Sequence, residues 1–251
     1  MPSQPPALPA LPDSPASAQH PGPLCHLLIA DAAPLAGAGA QADAAALPPL
    51  PNLDALLARL RPAGSIACDE EDPETPHALA VARANKLPGQ PGRHPWAAFE
   101  SGTVGTPCAW LRPAHLQMGM DDVQLIELDH LQLSEDESQQ LLNACAPLLA
   151  EDGLTLRAAY PGAWLAQGEL LRGVYAPAPE RAAGRLLTRG ELARADDPAQ
   201  QRLLARLLSE LEMLLATHPI SQAREAARRW PVNSVWVHGA GVLDGLWTPA
   251  P

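Results

Sequence analysis

The order of elements along the chain predicts an α+β fold, a mixed, mainly antiparallel sheet with helices packed on one face, preceded by a disordered proline-rich tail. Three observations carry that expectation. After Trp96 the sequence runs strand, strand, helix, strand, strand, helix, each strand pair closed by a short turn. Two of the helices announce their starts chemically, through Ser134 followed by Glu137 and through Asp197 followed by Pro198. Residues 1–23 are dominated by Pro, Ala, Ser and Gln with no lysine or arginine, a composition that forms neither a hydrogen-bonded element nor a core.

Composition narrows the classes open to the chain. With 251 residues, 47% of them hydrophobic, it can bury a sizeable core, and with aromatics at only 4% that core rests on small aliphatic side chains and a few tryptophans. A net charge of −11 argues against a general nucleic-acid binder, which needs a basic surplus to neutralise phosphates. The charge is uneven, however. Residues 181–229 carry nine of the sixteen arginines against six acids, which reads either as a solvated helix face or as an anion-attracting surface. Cys25, Cys68, Cys108 and Cys145 are too scattered for a structural zinc site. No leader pattern and no run of about 20 apolar residues occurs, so a cytoplasmic protein with free thiols and no membrane contact is expected.

The elements follow in order. Residues 24–31 form an apolar run ending in Asp31, the pattern of a buried strand whose terminal acid serves as a turn cap or a site carboxylate. A short helix is expected from Asn52, capped by that residue, with Leu53, Leu56, Leu57 and Leu60 on one face. A second is expected over 77–87, after an acidic run whose spacing is wrong for a calcium loop. Residues 88–95 are rich in Pro and Gly and mark a boundary between a small N-terminal α/β segment, 24–95, and an α+β domain, 96–251. Within that domain residues 107–118 and 123–129 read as an antiparallel pair. The Ser134 helix is expected to reach about residue 152, with Leu141, Leu142, Cys145, Leu148 and Leu149 inward and a kink at Pro147. Residues 154–160 and 163–171 form a second pair around Pro161 and Gly162. A loop over 172–196 precedes the Asp197 helix, whose leucines make a broad apolar face up to Pro219. A helix from Ser221 then leads to a last strand over 232–238, running into Gly239, Ala240 and Gly241.

That series of motifs, a strand pair, a capped helix, Tyr160-Pro161-Gly162, a long helix, His218-Pro219 with Arg224, then residues Pro231 to Trp236 and the paired glycines, resembles the substrate-facing insert domain of archaeal-type cofactor-independent phosphoglycerate mutases. It also resembles a smaller group of bacterial proteins labelled phosphoglycerate mutase through the same similarity. The resemblance spans residues 107–241. It implies that Arg112 and Arg224 hold a small phosphorylated acid, as planar guanidinium forks suit phosphate and carboxylate, and that His218, Asn233 and His238 line the same pocket.

In the family a second domain of alkaline-phosphatase type supplies a serine nucleophile and two divalent ions. This sequence shows no matching cluster of Asp and His ligands and no convincing nucleophile, and Ser221 and His238 stand where the family carries an asparagine and a tryptophan. The expectation is therefore a mutase-like protein without metal-dependent catalysis, with no metal ligands and no cofactor, possessing at most a pocket for a phosphorylated acid. Two rivals stay open. One is an active mutase drawing on Asp31, other scattered ligands and Mn or Mg; the other is an interaction protein whose Asp197 helix docks a partner. A dinucleotide loop at Gly239 to Gly241 would need a helix directly after it, for which residues 242–251 are too short and proline-bounded, and the oligomeric state is left open.

Overall fold

A computed structural model describes residues 49–60, 65–69, 71–120 and 122–244. The expected tail over 1–23, the expected strand over 24–31 and Asp31 lie outside the described residues. The rest is an α+β protein built on a four-stranded sheet, with two smaller sheets beside it.

Helix α1 (Pro51–Leu57) starts one residue before the expected cap. Pro51 presets the first helical φ, Leu50 stands at the cap without a side-chain bond, and Asn52 is inside the helix. Helix α2 (Pro76–Ala84) is capped by Thr75, whose hydroxyl accepts from Ala78 N–H, and α3 (Trp96–Ser101) ends on Gly102 in the left-handed region.

Strand β1 (Cys108–Ala114) sits at the centre of the main sheet. It does not pair with the segment that follows it. Only its continuation, β2 (Leu116–Met118), makes the expected hairpin with β3 (Val123–Leu125), and the chain then closes into a 3-10 turn at Leu128–Leu131. Helix α4 (Glu135–Glu151) opens on a reciprocal capping box, Ser134 Oγ accepting from Glu137 N–H and Glu137 Oε2 from Ser134 N–H. Strands β4 (Thr155–Tyr160) and β5 (Ala163–Gln167) form the second hairpin.

The stretch expected as a loop holds β6 (Val174–Tyr175), α5 (Pro179–Ala182), β7 (Leu186–Leu187) and β8 (Arg194–Ala195), elements too short to leave a periodic signal. Asp197 caps α6 (Pro198–Thr217), accepting from Ala199 and Gln200 N–H. Helix α7 (Pro219–Ala226) follows after the single residue His218, two residues earlier than the expected start at Ser221, and β9 (Ser234–Gly241) ends the described fold beside β1.

The main sheet runs β4-β5-β1-β9, every pair antiparallel. Alternation along the strands divides its side chains between two faces. One face carries Leu111, Trp164, Val235 and Val237, and the long helices cover it with Leu141, Cys145 and Leu149 of α4 and Leu204, Leu207, Leu211 and Leu215 of α6. The opposite face is covered twice, by separate pieces. Near one end Ala97 and Ala98 of α3, with Ala82 and Leu87, pack on Cys108, Trp110 and Leu165. Near the other, Leu116, Val123, Leu125 and Leu187 of the small β2-β3-β7 sheet pack on Ala114 and Trp236. Between those two covers lie Arg112 of β1 and His238 of β9.

The segment before Trp96 is bound into this arrangement. Ala178 N–H donates to Pro73 O, and the buried Glu74 carboxylate bonds His94 Nδ1 at 2.7 Å and accepts from Trp96 Nε1 at 2.9 Å.

Candidate functional site

Arg112 is the one charged residue of β1 and is half-buried. Its cross-strand neighbour in β9 is Trp236, and Trp110, two residues earlier and so on the same face, stands opposite His238. Nε of Arg112 donates to Gly162 O at 2.8 Å, which anchors the guanidinium at the β4-β5 turn, and the group lies 5.9 Å from the Tyr160 ring centroid. No described residue takes a hydrogen bond or ion pair from its two terminal nitrogens. The guanidinium borders two neighbouring clefts of about 240 and 260 Å³ that share Arg112, Leu128 and Asp129 as walls.

His238 completes this patch. Its Nε2 is buried and has no hydrogen-bond partner among the described residues. Burial, with the positive charge of Arg112 added, pushes the imidazole pKa down to about 3, so the ring is neutral at ordinary pH.

The other expected site residues have different surroundings. Arg224 is 2% exposed. Its Nε donates to Trp230 O at 2.9 Å, Nη1 to Glu137 Oε2 at 2.8 Å, and Nη2 to Leu131 O. The two terminal nitrogens thus tie α7 to the start of α4 and to the 3-10 turn, while Nε holds the loop that follows α7. His218 joins α6 to α7, its Nδ1 accepting from Ile220 N–H at 3.3 Å. Asn233 imitates a strand: Oδ1 accepts from Leu116 N–H at 2.8 Å and Nδ2 donates to Leu116 O at 2.9 Å. Ser221, buried, donates to Val232 O at 2.6 Å. The fold therefore brings Arg112 and His238 together, while Arg224, His218 and Asn233 bond the elements around them.

Several residues around Arg112 carry no local sequence signal. Glu100, at the end of α3, accepts from Trp110 Nε1 at 2.6 Å. Burial raises its carboxyl pKa and the Glu180 charge adds to the rise, against the opposing pull of the Trp110 N–H and of Arg112. Glu180, in α5, lines the smaller cleft with Glu127 and Asp129. One guanidinium among these carboxylates favours a ligand bearing a single anionic group and several hydrogen-bond donors, since a second full charge meets like charge. Among the described residues no group of three or more His, Cys, Asp or Glu side chains gathers as a metal site, and no helix is long and apolar enough to cross a membrane.

No family model matches the chain, and no curated protein matches it. Among solved structures, a cofactor-independent phosphoglycerate mutase from Thermoplasma acidophilum DSM 1728 is similar over 71% of this chain and 48% of its own, with 17% identity and a TM-score of 0.45. The PH0037 protein from Pyrococcus horikoshii is similar over 70% of this chain and 38% of its own, with 14% identity and a TM-score of 0.37. The likeness is distant, and the chain spans less than half the length of either protein.

Proposed function

We propose that this is a phosphoglycerate-mutase-like protein that binds a small hydroxy acid of the glycerate and phosphoglycerate class at Arg112, the carboxylate on the guanidinium and the hydroxyls toward Glu180 and Asp129. The observation that carries the reading is the guanidinium itself, anchored through Nε while its terminal nitrogens, bordering two clefts, meet no partner among the described residues. The ordered motifs over residues 107–241 support the same class of ligand. The carboxylates around the cleft favour the hydroxy acid over its phosphorylated form. The reading assigns binding, and no bond-making step, to these residues.

Isothermal titration of the intact chain with glycerate and with 3-phosphoglycerate tests it. Glycerate is expected to bind saturably and more tightly than phosphoglycerate, and Arg112→Gln, folded as judged by circular dichroism, to weaken binding at least about tenfold, the loss of one charge-assisted bidentate contact. Tighter binding of phosphoglycerate overturns the charge argument while keeping the acid site. Absence of heat from both acids, or an unaltered Arg112→Gln, overturns the function.

A further inference from the structure

The arginine surplus of residues 181–229 is largely absorbed by the fold. Arg224 and Arg229 pair with Glu137, Arg206 with Asp152 and Glu210, and Arg189 with Glu212. Arg181 donates to the Asp69 and Asp72 carbonyls. Arg185, Arg194, Arg202 and Arg228 have no carboxylate within ion-pair distance among the described residues, and of these Arg185 and Arg194 line one cavity of about 240 Å³, separate from the clefts at Arg112.

That cavity is held in shape from several sides. Arg194 stands opposite Tyr175 in the β6-β8 pair, and its Nε donates to Gly190 O at 3.0 Å, fixing the guanidinium. Arg93 forks onto Asp196 with bonds of 2.6 and 2.7 Å and lies over the Tyr175 ring at 3.7 Å, so the ring is clamped into a rigid wall. Pro73 and Pro177 add stiff apolar surface. Gly92 closes the rim: its φ is +82°, and a β-carbon there would stand 2.7 Å from Pro73 Cγ.

Charge alone does not decide what enters. Asp196 offsets Arg93, and Glu71 and Glu191 offset the remaining pair. Glu191, however, is engaged, its Oε2 accepting from Thr188 N–H at 2.7 Å and from Thr188 Oγ1 at 2.8 Å. Directed donors on Arg185 and Arg194 thus face a cavity walled by the Tyr175 ring and prolines, with the Glu71 and Glu191 carboxylates at its lining. A cavity of about 150 Å³ is enough to hold benzene, so this one accommodates a ring carrying one oxyanion.

We propose that this pocket binds a small ring-bearing oxyanion, the anion between Arg185 and Arg194 and the ring against Tyr175, Pro73 and Pro177. Carboxylate and phosphate share the recognising chemistry. The proposal is independent of the Arg112 site.

Titration of the full chain with benzoate and with phenyl phosphate, followed by ligand-observed NMR, tests it. Saturable binding of at least one is expected, the tighter of the two naming the oxyanion, while benzylammonium, of the same shape and opposite charge, does not bind. Arg185→Gln with Arg194→Gln is expected to weaken binding by at least about tenfold. If that double variant is unfolded by circular dichroism, the single Arg185→Gln, whose one described bond is a 3.3 Å contact to Arg181 O, carries the same expectation at smaller size. An excess of glycerate leaves benzoate bound, which separates this pocket from the Arg112 cleft. Failure of both anions to bind, equal binding of benzylammonium, undiminished binding by the folded variant, or displacement by glycerate overturns the proposal.

Discussion

Removing the Arg224 guanidinium, as in Arg224→Met, is expected to cost stability and leave ligand binding unchanged. The substitution keeps an apolar stem of similar length in the same buried place. It takes donors away from Trp230 O, Leu131 O and Glu137 Oε2 at once. Breaking a buried ion pair costs about 3–5 kcal/mol when its partner remains buried, and Glu137, still 19% exposed and still bonded by Arg229, places this pair toward the lower end. Each orphaned carbonyl adds about 1 kcal/mol or more where water cannot reach it. The expected total is about 3–5 kcal/mol, which at an m value of about 3 kcal/mol per molar urea lowers the unfolding midpoint by about 1–1.7 M. Arg224→Lys retains the charge but one point donor replaces a fork, so it recovers less than half of the loss.

A pH series adds a second reading of the same contact. Burial pushes the Glu137 carboxyl up, but the Ser134 N–H together with Arg224 and Arg229 outweighs it and holds the pKa below 4.5. A depressed folded pKa contributes stability that is present above the unfolded value and lost as pH falls through the folded one. The parent should therefore lose stability on acidification below about pH 4.5 more steeply than Arg224→Met. A midpoint within about 0.3 M of the parent, or weakened glycerate binding by a variant as stable as the parent, would refute the structural role.

Three further outcomes follow from the same geometry. His238 has a folded pKa of about 3 against an ordinary 6.5, so unfolding takes up a proton in that interval and stability falls with decreasing pH at up to about 1.4 kcal/mol per unit. His238→Leu should flatten this slope in urea titrations between pH 6.5 and 4.5, and parallel curves would contradict it. Gly241→Ala is expected to cost about 2–4 kcal/mol by thermal or urea unfolding, because φ is +154° and the new methyl would lie 2.7 Å from Pro95 Cβ. Asn233→Ala, which unpairs both backbone groups of Leu116, should cost about 1–3 kcal/mol and speed hydrogen exchange at Leu116 N–H, with little change in glycerate affinity.

What the sequence discloses and what it hides divide by range along the chain. The Ser134–Glu137 box and the Asp197–Pro198 start are local chemistry complete within four residues, and both open helices where expected. The β4-β5 hairpin is local too, its strands joined through Pro161 and Gly162. Strand β1 shows the other regime. Its neighbours are β5 and β9, the latter about 120 residues away, and no pattern within residues 107–118 distinguishes that pairing from a hairpin with the segment that follows. The candidate site follows the same division. Alternation along β1 sets Arg112 on the face of Trp110, a signal present in the sequence. Glu100 and Glu180, eighty residues apart and on separate short helices, lie near the same arginine only because the sheet brings α3 and α5 to it.

The contrast between Arg112 and Arg224 shows why residue type alone cannot name a binding group. Arg224 stands where a 3-10 turn, a helix start and the loop after α7 converge, so backbone carbonyls and one carboxylate satisfy its fork before any ligand arrives. Arg112 stands on a sheet face whose cover comes in two separate pieces, and the gap between the α3 cluster and the β2-β3-β7 sheet leaves the end of its side chain without a protein partner among the described residues. A third cover filling that gap with aliphatic side chains would bury an unpaired guanidinium at a cost of several kcal/mol. With Arg112 in place, the gap is stable only as a cleft that admits water or an anion. The long helices on the opposite face supply the core that makes such an opening tolerable, so the division of labour between the two faces of one sheet is what allows the site to exist.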